Sequence, residues 1–108
     1  MNEKTTNNEN HGSVLFDLGP IHVTTMAAQR VSGRAIEEAI YRHIRGDWGR
    51  IGEPARIMFR RVFRCGKGTI MSIYHAAGGV EFAIVTDFDA GRTEISLMDE
   101  IMAAIPRM

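Results

Sequence analysis

Apolar and polar positions follow two different periods along the chain, and the period changes near Gly68. Before Gly68, apolar residues recur at every third or fourth position, which is the spacing of amphipathic helices. After it, apolar and polar residues alternate one by one, as they do in half-buried β-strands. The pattern therefore predicts a helical first part followed by a β-rich second part.

Two helical stripes precede Gly68. The first contains Ile36, Ala39, Ile40, His43 and Ile44. The second contains Ala55, Met58, Phe59, Val62 and Phe63. This second helix is expected to begin at Glu53–Pro54 and to end at Gly66, since proline favours the first helical turn and glycine favours the position after the last. A shorter helix over residues 26–31, with Thr24 or Thr25 as its N-cap, is predicted upstream.

Three strands are predicted after Gly68. Residues 69–75 are rich in β-forming side chains, and alternating patterns then cover residues 80–85 and 93–97. Glycine-containing turns separate these segments. Short alternating strands joined by such turns predict a three-stranded antiparallel meander.

The remaining segments complete an α+β fold. Residues 14–23 predict one edge strand that is broken or bulged at Pro20, because proline cannot donate to a β-ladder. Asp99 is expected to cap a final helical turn. The 108 residues suffice for one domain, assigned to residues 13–108, after a polar, Asn-rich tail over residues 1–12. We expect three short helices packed on one face of a small antiparallel sheet.

The cysteine count and the N-terminal residues indicate in which cellular compartment the protein functions. Cys65 is the one cysteine of the chain, so no intramolecular disulfide can form. The N-terminal residues lack the basic start and apolar run of a signal peptide. No segment approaches the roughly 18 consecutive apolar residues of a membrane span. These features favour the cytoplasm and give no reason to expect a membrane partner.

Charge is balanced in total but unevenly distributed. The 13 basic and 13 acidic residues cancel. Residues 30–67 nevertheless hold ten basic and four acidic side chains, whereas residues 68–108 hold two basic and six acidic ones. The helical middle is therefore basic and the sheet end is acidic.

The basic charge concentrates on one face of the helix predicted before Gly66. Its members are Arg56, Arg60, Arg61, Arg64 and Lys67. Guanidinium groups bind carboxylates and phosphates in a bidentate way. The face is compatible with an acidic protein surface, with a nucleic-acid backbone, or with a solvated helix face that is partly paired with acidic residues of the sheet. Aromatic side chains do not interleave with it, which disfavours a base-stacking surface.

Metal and catalytic patterns are absent from the sequence. None of the four histidines lies at short metal-ligand spacing from another histidine or from Cys65, so we expect no metal and no cofactor. Ser72 and His75 point to opposite faces of a strand and cannot form a nucleophile–base pair directly. No catalytic residue is assigned on this basis, and we favour a protein without enzymatic activity.

Residues 43–49 read His-Ile-Arg-Gly-Asp-Trp-Gly. This run resembles the His-x-Ser-Gly-Asp-Trp-Gly core of a family of small proteobacterial proteins that are common on plasmids and integrated elements. The resemblance covers about residues 18–98 and continues at Ser72, Tyr74, Thr86, Asp89 and Thr93. Arg45 stands where that family has serine. The resemblance implies an origin on a mobile genetic element and brings no established activity.

The cluster His43, Gly46, Asp47, Trp48 and Gly49 has two interpretations. In the first, glycine ends the helix, Trp48 covers the core, and Asp47 accepts hydrogen bonds from loop N–H groups or from His43. In the second, His43, Asp47 and Trp48 form a patch for a ligand or partner that extends to Asp89 and Thr93.

Three functional hypotheses follow. We favour a non-enzymatic interaction protein from a mobile element or phage that binds a host or defence protein, for instance as an anti-restriction or anti-CRISPR inhibitor. The alternative is a small nucleic-acid-binding accessory protein that uses the same arginines. A small enzyme built around His43 and Asp47 is the third. Independently of these hypotheses, the protein could form a homodimer through a sheet edge.

Overall fold

The computed structural model describes residues 13–105 and confirms the α+β class. The expected tail at residues 1–12 lies outside the described residues, as do residues 106–108. The described elements, in chain order, are β1 (Ile21–Val23), α1 (Thr25–Arg30), α2 (Gly33–His43), α3 (Glu53–Cys65), β2 (Thr69–His75), β3 (Glu81–Asp87), β4 (Arg92–Leu97) and α4 (Met98–Ala104). A short 3₁₀ turn, Ala77–Gly79, joins β2 to β3.

Local capping sets the helix ends. The Thr24 hydroxyl accepts a hydrogen bond from the Ala27 N–H at 3.1 Å, which confirms Thr24 as the N-cap of α1. Gly66 ends α3 with a φ of 72°, a left-handed conformation that glycine adopts without steric cost. Asp99 does not cap α4 as predicted. The helix follows Leu97 directly, and the Glu100 carboxylate accepts the Leu97 N–H at 2.8 Å.

The sheet has four strands in the order β1-β4-β3-β2. Antiparallel pairing of β2 with β3 and of β3 with β4 confirms the predicted meander. The edge strand β1 is shorter than predicted, begins after Pro20, and pairs with β4 in the parallel sense, so the expectation of an entirely antiparallel sheet was wrong. Because helices separate β1 from β4 in the chain, no tight turn dictates their relative direction.

The main core lies between one face of the sheet and the first helices. Phe82, Ile84, Ile95 and Leu97 project from this face against Ala27, Val31 and Ala39. The three predicted helices, α1, α2 and α3, pack on this face, whereas α4 lies on the other. Its Ile101 lies beside Val85, Glu94 and Ser96, which alternation along β3 and β4 places on the opposite face.

A second cluster attaches α3. Trp48, Phe16 and Ile70 are buried there, with Phe59 and Phe63 packed against them. Met58 was predicted to face this core but is 63% exposed. Met58 is exposed because α3 is oriented with Phe59, Val62 and Phe63 against the cluster, which leaves Met58 at the side of the helix.

Candidate functional site

The structure divides the five predicted basic residues of α3 into two groups. Arg56 is half-buried: its guanidinium lies 5.7 Å from the centre of the Trp48 ring, and its Nη2 donates to the Gly46 carbonyl at 3.4 Å. These contacts make Arg56 part of the attachment of α3. Arg60, Arg61, Arg64 and Lys67 are exposed and remain available to a partner.

Few acidic groups neutralise this exposed charge. Arg60 makes a loose ion pair with Glu53, with an N–O distance of 3.8 Å. Within residues 13–105, neither Arg61 nor Arg64 has an ion-pair partner. The acidic residues of the sheet therefore do not compensate the helix, although the sequence allowed for such pairing.

Two apolar side chains share this exposed surface. Ile57 is 51% exposed and Met58 is 63% exposed. On a helical wheel Ile57 falls between Arg61 and Arg64. We call the set Ile57, Met58, Arg60, Arg61 and Arg64 the outer face of α3. Sequence reasoning identified its charge but missed its apolar part; the position of Ile57 outside the apolar stripe was the available signal.

His43 occupies a different place, in the core at the end of α2. It is 0% exposed, and both ring nitrogens meet hydroxyl groups. Nδ1 lies against the hydroxyl of Ser72, and Nε2 lies 2.9 Å from that of Thr86. The pairing of His43 with Ser72 joins α2 to β2, and sequence spacing gave no sign of it.

Which group donates in each of these hydrogen bonds follows from the last bond of the series, at Thr93. The Thr93 hydroxyl donates to the Leu18 carbonyl at 2.7 Å and so accepts from the Thr86 hydroxyl, 2.8 Å away. Thr86 must then accept the N–H of His43 Nε2, which leaves Nδ1 to accept from Ser72. Burial lowers the pKa of His43 to about 4, so this neutral tautomer is the form present near neutral pH.

Asp47 does not contact His43 and instead faces outward. Its carboxylate accepts hydrogen bonds from Nε and Nη2 of Arg42 at 2.8 and 3.2 Å. The hydrogen bond with Arg42 lowers the pKa of Asp47 and raises that of Arg42. Arg42 also covers the Tyr74 ring at 4.7 Å, while the Tyr74 hydroxyl donates to the Asp47 carbonyl at 2.6 Å. The hypothesis of a joined His43–Asp47 site was wrong.

Trp48 anchors the loop after α2, as the sequence predicted. It is 2% exposed, and its indole N–H donates to the His43 carbonyl at 3.1 Å. Gly46 and Gly49 have φ values of 87° and 68°, which glycine tolerates best. Asp89 lies in the exposed turn between β3 and β4, where its N–H donates to Asp87.

The residues of the family pattern therefore separate in space. Thr93 joins His43 through Thr86, whereas Asp47 and Asp89 lie at the surface. Because His43 and Ser72 are both 0% exposed, a substrate cannot reach the pair in this conformation. This arrangement fits the first interpretation of the cluster, in which it holds helix, loop and sheet together.

Residues 13–105 contain neither a group of metal-ligating side chains nor a membrane-spanning helix. No three His, Cys, Asp or Glu side chains in this region come together as metal ligands. None of its helices has the length and apolar character needed to cross a bilayer.

Comparisons with known proteins found no match. No family model, no curated protein and no solved structure matches it significantly. The resemblance carried by residues 43–49 therefore stays a prediction, and the outer face of α3 is the feature on which a functional proposal rests.

Proposed function

We propose that this chain is a non-enzymatic interaction protein that binds an acidic protein surface through the outer face of α3. One observation carries the proposal: Arg61 and Arg64 have no ion-pair partner within the described residues, and on the helix they flank the exposed Ile57, with the exposed Met58 next to Arg61. Burying an apolar centre within a ring of arginine–carboxylate pairs is a common source of affinity between proteins.

The apolar part of this face favours a protein over a nucleic acid. Contacts with a phosphate backbone are dominated by charge, and Ile57 and Met58 add nothing to them. When a partner removes both residues from water, the free energy of the complex falls by roughly 25 cal/mol for each Å² of apolar surface buried. Methionine and arginine are also enriched in protein interfaces.

The partner class that we propose is a host or defence protein. The resemblance of residues 43–49 to plasmid-borne proteins supports it, since small proteins of mobile elements commonly act on their host. Inhibition of a restriction or CRISPR system is one instance of such a role. A nucleic-acid-binding accessory role remains the second candidate, and the experiment below distinguishes the two.

Cys65 provides the means to test the proposal. It is the one cysteine of the chain and is exposed at the end of α3. A benzophenone attached to its thiol is to be irradiated in host lysate, with and without nuclease. The matched protein carries Cys65→Ser and Arg34→Cys, which moves the label to an exposed position on α2.

Charge reversal supplies the second arm. Arg61→Glu with Arg64→Glu is compared with Arg30→Glu and Arg34→Glu, which make the same charge change at exposed positions on α1 and α2. We expect one protein to be cross-linked from Cys65, to survive nuclease treatment, and to be lost with the α3 reversal alone. The cross-linked partner is then purified, and the carboxylates that contact α3 are replaced by arginine. This altered partner should bind the Arg61→Glu, Arg64→Glu variant.

Other results would contradict the proposal. Cross-linking that disappears with nuclease and a binding affinity that falls steeply with salt would identify a nucleic-acid module instead. Equal cross-linking from Cys65 and from the α2 position would remove the outer face of α3 as the binding site.

A further inference from the structure

The outer edge of β2 is only partly covered by the chain itself. The Ile73 N–H donates to the Trp48 carbonyl at 3.2 Å, and the Arg50 N–H donates to the Ile73 carbonyl at 2.9 Å. The backbone groups of Ile73 therefore point away from β3. Because this direction alternates along a strand, those of Met71 and Thr69 point outward as well.

No described group satisfies these outward positions. The backbone N–H and C=O groups of the even-numbered residues of β2 point towards β3, and the loop carrying Gly49 reaches only Ile73. Within residues 13–105, no hydrogen bond is made to the backbone of Thr69 or Met71 from the open side. Two N–H donors and two carbonyl acceptors are left on this half of the edge, which is the arrangement that accepts an added strand.

The opposite edge of the sheet, formed by β1, is less suited to pairing with an added strand. β1 has three residues and follows Pro20, and shortness together with an adjacent proline is a common protection against unwanted pairing. The first half of β2 is thus the better of the two edges for an incoming strand.

Positive charge lies next to this part of β2. Gly66, Lys67 and Gly68 connect the end of α3 to Thr69, so Lys67 precedes the open edge by two residues. Arg64 occupies the last turn of α3, and both it and Lys67 are exposed. Chain connectivity alone therefore places the basic end of α3 beside the unpaired backbone groups.

We propose, on the premise of the function above, that the partner presents an extended acidic segment that adds a strand to β2 at Thr69 and Met71. Backbone hydrogen bonds hold the segment, and its carboxylates lie against Lys67 and Arg64. The strand and the outer face of α3 then form one continuous surface for the partner.

Amide hydrogen exchange on the full chain tests this geometry. The probe is a synthetic peptide of alternating glutamate and valine, with two controls: a lysine-for-glutamate version and a version N-methylated on alternate residues. We expect the glutamate peptide to slow exchange at Thr69 and Met71 by about tenfold or more at saturation, since a hydrogen-bonded amide exchanges only after local opening. The amides of Ile70 and Ser72, already paired with β3, serve as internal references.

A variant provides the second readout. Met71→Pro removes the outward N–H while sparing the pairs with β3, and an edge strand tolerates proline when its N–H faces solvent. We expect this variant to keep its near-ultraviolet circular dichroism and to bind the glutamate peptide at least about tenfold more weakly, which is about 1.4 kcal/mol. Lys67→Glu should reduce affinity for the glutamate peptide and raise it for the lysine version.

The outcomes separate this proposal from the proposed function. It is overturned if the glutamate peptide does not bind, if it binds without slowing exchange at Thr69 and Met71, or if the N-methylated peptide protects them equally. Protection that appears without peptide and rises with protein concentration would assign the edge to a second copy of this chain. If the cross-linked partner still depends on Arg61 and Arg64 but is unaffected by Met71→Pro, the function stands and the added strand does not.

Discussion

Ser72 donates its hydroxyl hydrogen to Nδ1 of His43 in the centre of the protein, across 29 positions of sequence. This bond starts a hydrogen-bond series that runs through Thr86 and Thr93 to the Leu18 carbonyl. It connects α2, three strands and the segment before β1. Every polar atom of the His43 ring is satisfied, which is the condition for burying it without loss of stability.

His43 should make the protein sensitive to mild acid. Burial lowers its pKa from 6.5 to about 4, so between these values the unfolded chain binds a proton that the folded chain does not. The contribution is fully present above about pH 6.5 and is lost as the pH falls towards about 4, a total of about 3 kcal/mol. Urea unfolding across this range measures it.

The control for this experiment is His43→Gln, which keeps one donor and one acceptor but does not titrate. All other groups are common to the two proteins, so the difference between the two pH profiles isolates His43. Identical slopes would contradict the burial of a neutral imidazole. The lowered pKa of Asp47 also costs stability on acidification, mostly at pH values below its ordinary pKa of 3.8.

Thr93→Val should destabilise the fold although the side chains have similar shapes. The change removes the acceptor of the Thr86 O–H and the donor to the Leu18 carbonyl, at a cost of about 1–3 kcal/mol for a buried polar group left unsatisfied. Ser96→Ala is the matched change on the other face of β4. Ser96 is 5% exposed, and its hydroxyl makes no hydrogen bond within residues 13–105. Equal losses of thermal stability in the two variants would argue against the hydrogen-bond series.

Asp47→Asn should have little effect. The Arg42–Asp47 pair is about half exposed on both sides, and such pairs contribute about 0–1 kcal/mol. Since the carboxylate faces Arg42, the nuclear magnetic resonance titration of His43 should be unchanged in the variant. A displaced His43 titration would show that the two groups interact after all.

Gly49→Ala should be severely destabilising. A Cβ at this position would lie 1.9 Å from the Ile73 carbonyl oxygen, and the φ of 68° disfavours any other residue. Gly33→Ala is the comparison, because no atom lies within 4 Å of the added Cβ at the start of α2. That change should be neutral or stabilising by up to about 1 kcal/mol. Thermal unfolding of both variants checks the contrast.

Periodicity and capping chemistry explain which parts of the fold were predictable. The stripe of α2, the stripe of α3 apart from Met58, the Thr24 cap and the glycine after α3 depend on residues close in sequence, and the structure confirms them. The meander is equally local, because short turns join its strands. The parallel direction of β1 was missed, since it depends on contacts between residues about 70 positions apart.

The candidate site shows the same division. Sequence by itself determined that α3 carries a basic face, because helical geometry alone aligns Arg60 and Arg64. Only the tertiary structure decided that Arg56 turns inward, that Ile57 and Met58 stay exposed, and that Ser72 rather than Asp47 meets His43. Local spacing fixes which side chains share a face of one element. The packing of helices and strands that are distant in the chain decides which of those faces meet and which remain open to a partner.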